Sequence, residues 1–330
     1  MKNHKILSFL LILGLATTNL FAQGAQETAE ASSATKIGIS KLLPHPALDA
    51  VEQGIQDYLA TTDLEVEYNL QNANGDISTA ASIAQQLKSD KCDVVVGIAT
   101  PSAQSLANVF TDIPVVFSAV TDPVSASLEG GNICGVSDLN PVSAQIKLLI
   151  ELTGAKTIGN VYASGEANGV VLMEMAKAAC EELGVGFVES AVSNTAEVKM
   201  AAQSIIDRVD AIYVATDNTV ISAVASIDDV CKKANKPYLS ADPTSTGDLD
   251  CLVSWGFNYY NLGLQTGKVI ESCLTGSTPE EIGSVYLTDP SDFELWFNLD
   301  VAEKLGVTIS DDLLESAAVV VKDGVKTSKE

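Results

Sequence analysis

The sequence predicts an α/β protein of two similar doubly wound parallel-sheet lobes joined by a hinge. Short apolar runs alternate with amphipathic stretches at helical spacing from Lys36 onward. Strands alternating with helices in this way form a parallel sheet covered on both faces. The same series then recurs about 120 residues later, as a duplicated unit would. With 330 residues, 46% of them hydrophobic, the chain is long enough for two cores.

The elements follow in order. Ile37-Gly38-Ile39-Ser40 reads as a buried strand. His45 to Ala60 reads as a helix carrying Leu48, Val51, Ile55 and Leu59 on one face. Leu64 to Tyr68 alternates like a strand, Ile77 to Lys88 is helical, and Asp93 to Ala99 is a continuous apolar strand. A helix opens at Pro101, since proline suits a first helical position. Pro114 to Ser118 is the next strand. In the second half Thr157 to Tyr162 answers Lys36 to Ile39, and Ala167 to Leu183 answers the His45 helix. Phe187 to Ser190, Val198 to Ile206, Asp210 to Asp217 and Pro237 to Pro243 answer the remaining elements in turn.

The ends differ from this body. Met1-Lys2-Asn3-His4-Lys5, an apolar run from Ile6 to Ala16 and small residues up to Ala25 make a cleaved secretory signal peptide, residues 1–24. The run is short for a membrane span. Residues 25–35 form a disordered Ala/Ser/Thr/Glu linker, and Lys326 to Glu330 a loose polar tail.

Composition excludes several functions. The chain has 43 acidic and 19 basic side chains, a formal net charge of −24, which argues against nucleic-acid binding. His4 and His45 are its two histidines and Arg208 its one arginine. No zinc spacing, dinucleotide glycine fingerprint, nucleophile elbow or phosphate loop occurs, so no catalytic residue, metal or cofactor is assigned. The six cysteines, Cys92, Cys134, Cys180, Cys231, Cys251 and Cys273, form no CxxC pair. An exported protein could pair them; most, however, sit in apolar strands or helix faces, where free cysteine packs as a small hydrophobe, and packing is the favoured reading.

Ligands of open α/β sheets bind beyond the carboxyl ends of the strands. In the first half those ends carry His45-Pro46, Thr100-Pro101-Ser102 and Ser118-Ala119-Val120-Thr121-Asp122. In the second they carry Gly165-Glu166-Ala167-Asn168, Thr216-Asp217-Asn218 and Asp242-Pro243.

These residues also carry a resemblance. Ile39-Ser40 followed by His45-Pro46-Ala47-Leu48-Asp49, Asn72 to Asp76, Ile98-Ala99-Thr100-Pro101, Ala119 to Pro123, Gly135 to Asp138, Gly165 to Asn168, Thr216 to Thr219, Ser240 to Pro243 and Gly256 to Gly263 resemble the periplasmic substrate-binding proteins of ABC importers. More narrowly, they resemble the subfamily with aromatic amino-acid ligands of the tryptophan, tyrosine and phenylalanine type. The likeness covers nearly all of Lys36 to Val321; the family pattern often has Asp where Asn258 stands. It implies a type I periplasmic-binding-protein-like fold, with lobe 1 at 36–138 plus 258–292 and lobe 2 at 139–257 plus 293–325. It further implies a monomer that captures an amino acid and delivers it to an ABC permease with a separate ATPase. No cysteine stands near the cleavage site, which points to a soluble periplasmic protein without a lipid anchor.

An amino-acid ligand presents a carboxylate, an ammonium and a side chain. The helix opened by Thr100, Pro101 and Ser102, with Ser118, Ala119 and Val120 beside it, offers N–H groups, hydroxyls and a positive dipole end for the carboxylate. The same hydroxyls also serve as ordinary helix caps. Asp217, Asp242 and Glu166, with Asn168 and Asn218, are the ammonium acceptors, Asp217 first among them. Phe257, Trp255, Tyr260 and Phe117 are candidates for an aromatic slot. His45 either bonds the ligand or faces solvent at the start of its helix. Two other readings stand beside this one: a cleft racemase using Cys134 and Cys251, and a binding protein serving a sensory receptor.

Overall fold

The computed structural model describes residues 34–329. The signal peptide and all of the linker before Ala34 lie outside the described residues.

The first sheet is laid down by β1 (Thr35–Lys41), β2 (Val66–Asn72), β3 (Val94–Ile98), β4 (Val115–Val120) and β5 (Ile133–Ser137). Between them run α1 (Pro46–Leu59), α2 (Ile77–Ser89) and α3 (Thr100–Ala107). Leu48, Val51, Ile55 and Leu59 form the buried face of α1, as their spacing dictates. Asp76 starts α2 by accepting the Thr79 N–H at 2.6 Å. β3 is buried along its whole length. A Cβ on Gly97 would strike Ala103, so only glycine lets β3 lie this close to α3.

The chain then enters a second unit: α4 (Val142–Thr153), β6 (Thr157–Ala163), α5 (Ala167–Glu182), β7 (Gly186–Val192), α6 (Val198–Ile205), β8 (Ala211–Val214), α7 (Asn218–Ile221), α8 (Val224–Ala234), β9 (Tyr238–Ser240), α9 (Pro243–Thr246) and β10 (Val253–Phe257). It returns to the first with α10 (Tyr259–Leu274), α11 (Pro279–Ile282) and β11 (Ser284–Tyr286). It ends in the second with β12 (Phe293–Asn298), α12 (Leu299–Leu305), α13 (Asp311–Ser316), β13 (Val319–Lys322) and β14 (Val325–Ser328).

Sheet order confirms the duplication. The first sheet runs β11-β5-β4-β3-β1-β2 and the second β14-β13-β12-β10-β9-β8-β6-β7. Strands β1 to β5 and β6 to β10 therefore occupy the same places. In both, strand order reverses between the first and third strands, at β1/β3 and at β6/β8. Such a switch point opens a crevice. The two lobes carry separate cores. One gathers Ile37, Ile39, Val96, Ile98 and Phe257; the other gathers Ile146, Leu172, Tyr213, Leu239 and Phe297.

The structure departs from the sequence reading in three places. The second sheet is not wholly parallel: β12 runs antiparallel to β10, and β14 antiparallel to β13. The tail expected to be loose forms β14, because Val325 to Ser328 pair with Val319 to Lys322. The strand read at Leu64 to Tyr68 lies at Val66–Asn72, pulled along by its parallel register with β1.

The tightest helix contact also bears on function. α1 crosses α10 where Gly54 and Gly263 meet backbone to backbone, with a Cβ at either one striking the opposite chain. His45 stands at the N-terminus of α1 and Tyr259 at that of α10. The glycine crossing therefore sets the relation between these two side chains.

Candidate ligand-binding cleft

The carboxyl ends of both sheets face one small cavity between the lobes. His45, Leu48, Ala119, Asp138 and Tyr259 line it from lobe 1, and Asn168, Thr216, Asp217, Asn218, Ile221 and Asp242 from lobe 2. The lobes also touch beside it, α1 against α9 and α3 against α5.

Two helix starts of lobe 1, those of α1 and α3, lack side-chain caps. His45 precedes α1 and Ala99 precedes α3, and neither makes a side-chain cap bond. Both ring nitrogens of His45, the Thr100 hydroxyl and the Ser102 hydroxyl are buried without a hydrogen-bond partner among the described residues. Buried polar groups of native proteins are nearly always paired, so this concentration calls for an explanation. The backbone is also strained here. Ala99 has φ 77° and Ala119 φ 54°, both in the region that favours glycine. Ala119 lies at a break in the β4/β5 register between Ser118 and Val120. The irregularity turns Ala119 toward the cavity, while Ser118 bonds Thr266 at 2.6 Å and Val120 packs with Phe117 and Leu128.

Lobe 2 presents carboxylates at the matching positions. Glu166, Asp217 and Asp242 precede α5, α7 and α9. Asp217 accepts the Val220 N–H at 3.1 Å through Oδ1 and the Ala163 N–H at 2.6 Å through Oδ2. Gly169 makes room for it, because a Cβ there would strike Asp217. Asp242 accepts the Ser245 N–H at 3.0 Å through Oδ1, leaving Oδ2 for a donor in the cavity. Glu166 is turned away from the cavity and accepts bonds from Asn218 Nδ2 at 2.7 Å, Thr219 N at 2.9 Å and Thr219 Oγ1 at 2.6 Å. Asn168 donates to the Thr216 carbonyl at 3.3 Å, which leaves its buried Oδ1 without a partner among the described residues.

Burial sets the protonation of this cluster. It pushes Asp217 up to about 8, helped by repulsion from Glu166 and opposed by backbone donors from Ala163 and Val220. Asp138 rises to about 6 by burial, although the Tyr259 hydroxyl at 2.9 Å and the Thr121 hydroxyl at 3.2 Å both donate to it. Burial also lifts Asp242 and lowers His45, outweighing the attraction between them.

Of the residues named from sequence, His45, Ala119, Asn168, Asp217, Asn218 and Asp242 line the cavity. Thr100, Pro101 and Ser102 are buried in the first turn of α3 but are not part of that lining. Ser118, Val120 and Glu166 lie off it for the reasons given above. Phe257 is a core residue: it is 1% exposed and stacks on Phe293 with ring centroids 4.3 Å apart. Trp255 and Phe117 likewise pack in cores, and Tyr260 lies on the surface bonded to Asp57. Cys134 and Cys251 sit in different cores, one in each lobe. Sequence reasoning left out Asp138, Tyr259, Leu48 and Ile221, and did not rank Thr216. The signal for Asp138 was its place just after a strand; Tyr259 has the look of any helix residue.

Two lobes with strand ends facing across a polar cavity, joined by several chain crossings, define a two-lobed solute-binding protein of the type I periplasmic class. Residues 36–321 match the family of ABC transporter substrate binding proteins, and the chain belongs to that family. It is 31% identical over 326 residues to a tyrosine-binding protein of Clostridioides difficile, covering 92% of this chain and 93% of the relative. It superposes with TM-score 0.82 and 35% identity on an ABC domain from Streptococcus pneumonia in complex with L-Trp, covering 88% of this chain and 100% of that one. It superposes with TM-score 0.65 and 32% identity on the ligand-free, open structure of a substrate-binding protein with adhesive properties from Clostridium difficile, covering 88% and 99%.

Proposed function

We propose that the chain captures a free aromatic amino acid, of the tryptophan, tyrosine or phenylalanine type, between its lobes. One observation carries this reading: the two faces of the cleft have opposite polarity. Lobe 1 offers the first turn of α1 at the lining, with His45 before it, and the first turn of α3 buried beside the lining; neither is capped by a side chain, and the Thr100 and Ser102 hydroxyls have no partner among the described residues. Exposed N–H groups and the positive end of a helix dipole suit a carboxylate. Lobe 2 offers Asp217 and Asp242, whose ionised forms suit an ammonium, and the ammonium in turn favours those forms against the burial that promotes protonation. A zwitterion fits between them in one orientation. Leu48, Ala119, Ile221 and the Tyr259 ring supply apolar surface for a side chain. The tyrosine-binding relative and the tryptophan complex support the aromatic class.

The moving bodies are residues 36–138 with 258–292 and residues 139–257 with 293–325. Contacts made by both lobes exist only in the closed form, so a ligand shifts the population toward closure. The better superposition on the tryptophan complex than on the open relative, at similar identity and coverage, supports assigning this structure to the closed form. Members of the family act outside the cytoplasm as the substrate-binding part of an ABC transporter. This one works as a periplasmic monomer that hands its cargo to a permease driven by a separate ATPase, and it performs no chemistry on the cargo.

A thermal-shift panel of amino acids, purines and sugars on the ligand-stripped full chain tests the reading. At a hundredfold excess over Kd a bound ligand adds about 3 kcal/mol of stability. A rise confined to tryptophan, tyrosine or phenylalanine is expected. A rise with a sugar or purine, or turnover of the amino acid, overturns it.

A further inference from the structure

Cys134 lies on β5 and Cys273 near the end of α10, 139 residues apart in sequence, yet their Sγ atoms are 3.7 Å apart. No other sulfur–sulfur contact of this kind occurs among the described residues. Cys251 instead donates to the Val253 and Tyr238 carbonyls, while Cys92, Cys180 and Cys231 sit in three separate apolar clusters. We propose that Cys134 and Cys273 form a disulfide that staples β5 to α10. The sequence leaves packing and pairing both open and names no pair.

The reaction needs little movement. Bringing the sulfurs from 3.7 Å to bonding distance is a shift of roughly 1.7 Å. Cys134 is fully buried, whereas Cys273 is partly exposed, so an oxidant reaches Cys273 first. The hydrogen bond between the two sulfurs lowers the Cys273 thiol from its ordinary value, which favours the attacking thiolate there. That thiolate attacks a disulfide oxidant, such as glutathione disulfide or a protein disulfide of the extracytoplasmic space, and releases one reduced thiol. Cys134 loses its proton and displaces the second thiol from the mixed disulfide. Two thiols give up two protons and two electrons, and one oxidant disulfide becomes two thiols. Oxidising compartments outside the cytoplasm sustain such bonds.

Position gives the bond its meaning. β5 is the strand from which the chain leaves lobe 1, and α10 is the helix on which it returns. The staple closes a loop that contains all of α4 to β10 while joining only lobe 1 elements. It therefore holds lobe 1 together and leaves the rotation of lobe 2 free.

The full chain, oxidised with glutathione disulfide, denatured and alkylated with N-ethylmaleimide, is expected to show four modified cysteines and a linked peptide containing Cys134 and Cys273. Reduction should lower the melting temperature by about 5 to 10 °C, as loss of a long-loop disulfide does. Cys273→Ser should show no link and no reductant-dependent shift; it avoids placing a hydroxyl in the core at Cys134. Six alkylated cysteines after oxidation, or a link between other cysteines, overturns the proposal. Affinity for tryptophan, tyrosine or phenylalanine, whichever binds, should agree within about twofold between oxidised and reduced protein, because both sulfurs lie in one lobe. A larger change overturns the placement of the staple outside the moving joint. The peptide map does not depend on ligand identity, so it can fail or succeed whatever the thermal-shift panel shows.

Discussion

The two lobes share a strand order but solve the same local problem in opposite ways. After the first strand, lobe 1 has His45 and lobe 2 has Glu166; after the third, lobe 1 has Ala99 and lobe 2 has Asp217. After the fourth, Asp122-Pro123 answers Asp242-Pro243, but Asp122 caps its own turn off the cavity lining while Asp242 faces the cavity. In lobe 2 the starts of α7 and α9 are capped by the protein's own carboxylates. In lobe 1 the starts of α1 and α3 are left without side-chain caps. Duplication supplied one scaffold twice, and a few substitutions at helix caps gave its copies opposite charge preference.

The largest expected effect tests lobe 2. Asp242→Asn should weaken binding of the aromatic amino acid about 100-fold, the cost of losing a buried charge-assisted bond. The N-acetyl derivative, which has no ammonium, should be affected far less. Isothermal titration with both ligands reads this out, and equal losses for the two would break the assignment of polarity.

Next comes the scaffold that brings the two faces into register. Gly54→Ala places a methyl against the Tyr260 carbonyl at the crossing of α1 and α10. It should cost about 3 kcal/mol of stability in chemical denaturation, and affinity should fall with it as His45 and Tyr259 separate. Unchanged stability would show that the glycine contact does not position the site.

A smaller effect concerns pH. Asp138 and Asp217 hold their protons more tightly in the folded than in the unfolded chain. Their contribution is fully present below about pH 3.8 and is lost as pH rises, through about 6 for Asp138 and about 8 for Asp217. His45 acts in the opposite sense, losing stability as pH falls below 6.5. Between pH 4.5 and 8.5 the ligand-free wild type should therefore lose about 2 kcal/mol more than Asp138→Asn. Parallel urea-stability profiles would contradict this.

The smallest effect lies in lobe 1. Thr100→Val and Ser102→Ala should each lower affinity about fivefold, or about 1 kcal/mol for a lost neutral hydrogen bond. Stability of the free protein should hold or rise, since each removes a buried hydroxyl without a partner among the described residues. A fall in stability with unchanged affinity would return both residues to ordinary capping.

Much of this was legible in the sequence because buried parallel strands read as unbroken apolar runs. Val94 to Ile98 and Val115 to Val120 are clear for that reason, and the strand ends led directly to His45, Asp217 and Asp242. What stayed hidden depended on long-range pairing. β11 to β14 are short and partly exposed, and pairing with β5 or β10 or with each other makes them strands. Phe257 was misplaced because an aromatic residue in a core and one in a ligand slot carry the same local pattern. Tyr259 became visible only through its bond to Asp138, 121 residues away.

The chain passes between the lobes at residues 138–141, at Asn258 and at residues 287–292. Three covalent straps limit how far the lobes can slide or separate and favour a change of angle between them. A membrane partner that reads this protein therefore reads chiefly that angle. The chemistry of an occupied cavity is converted into a distance between two distant surfaces, and the cargo itself need never be touched to be counted.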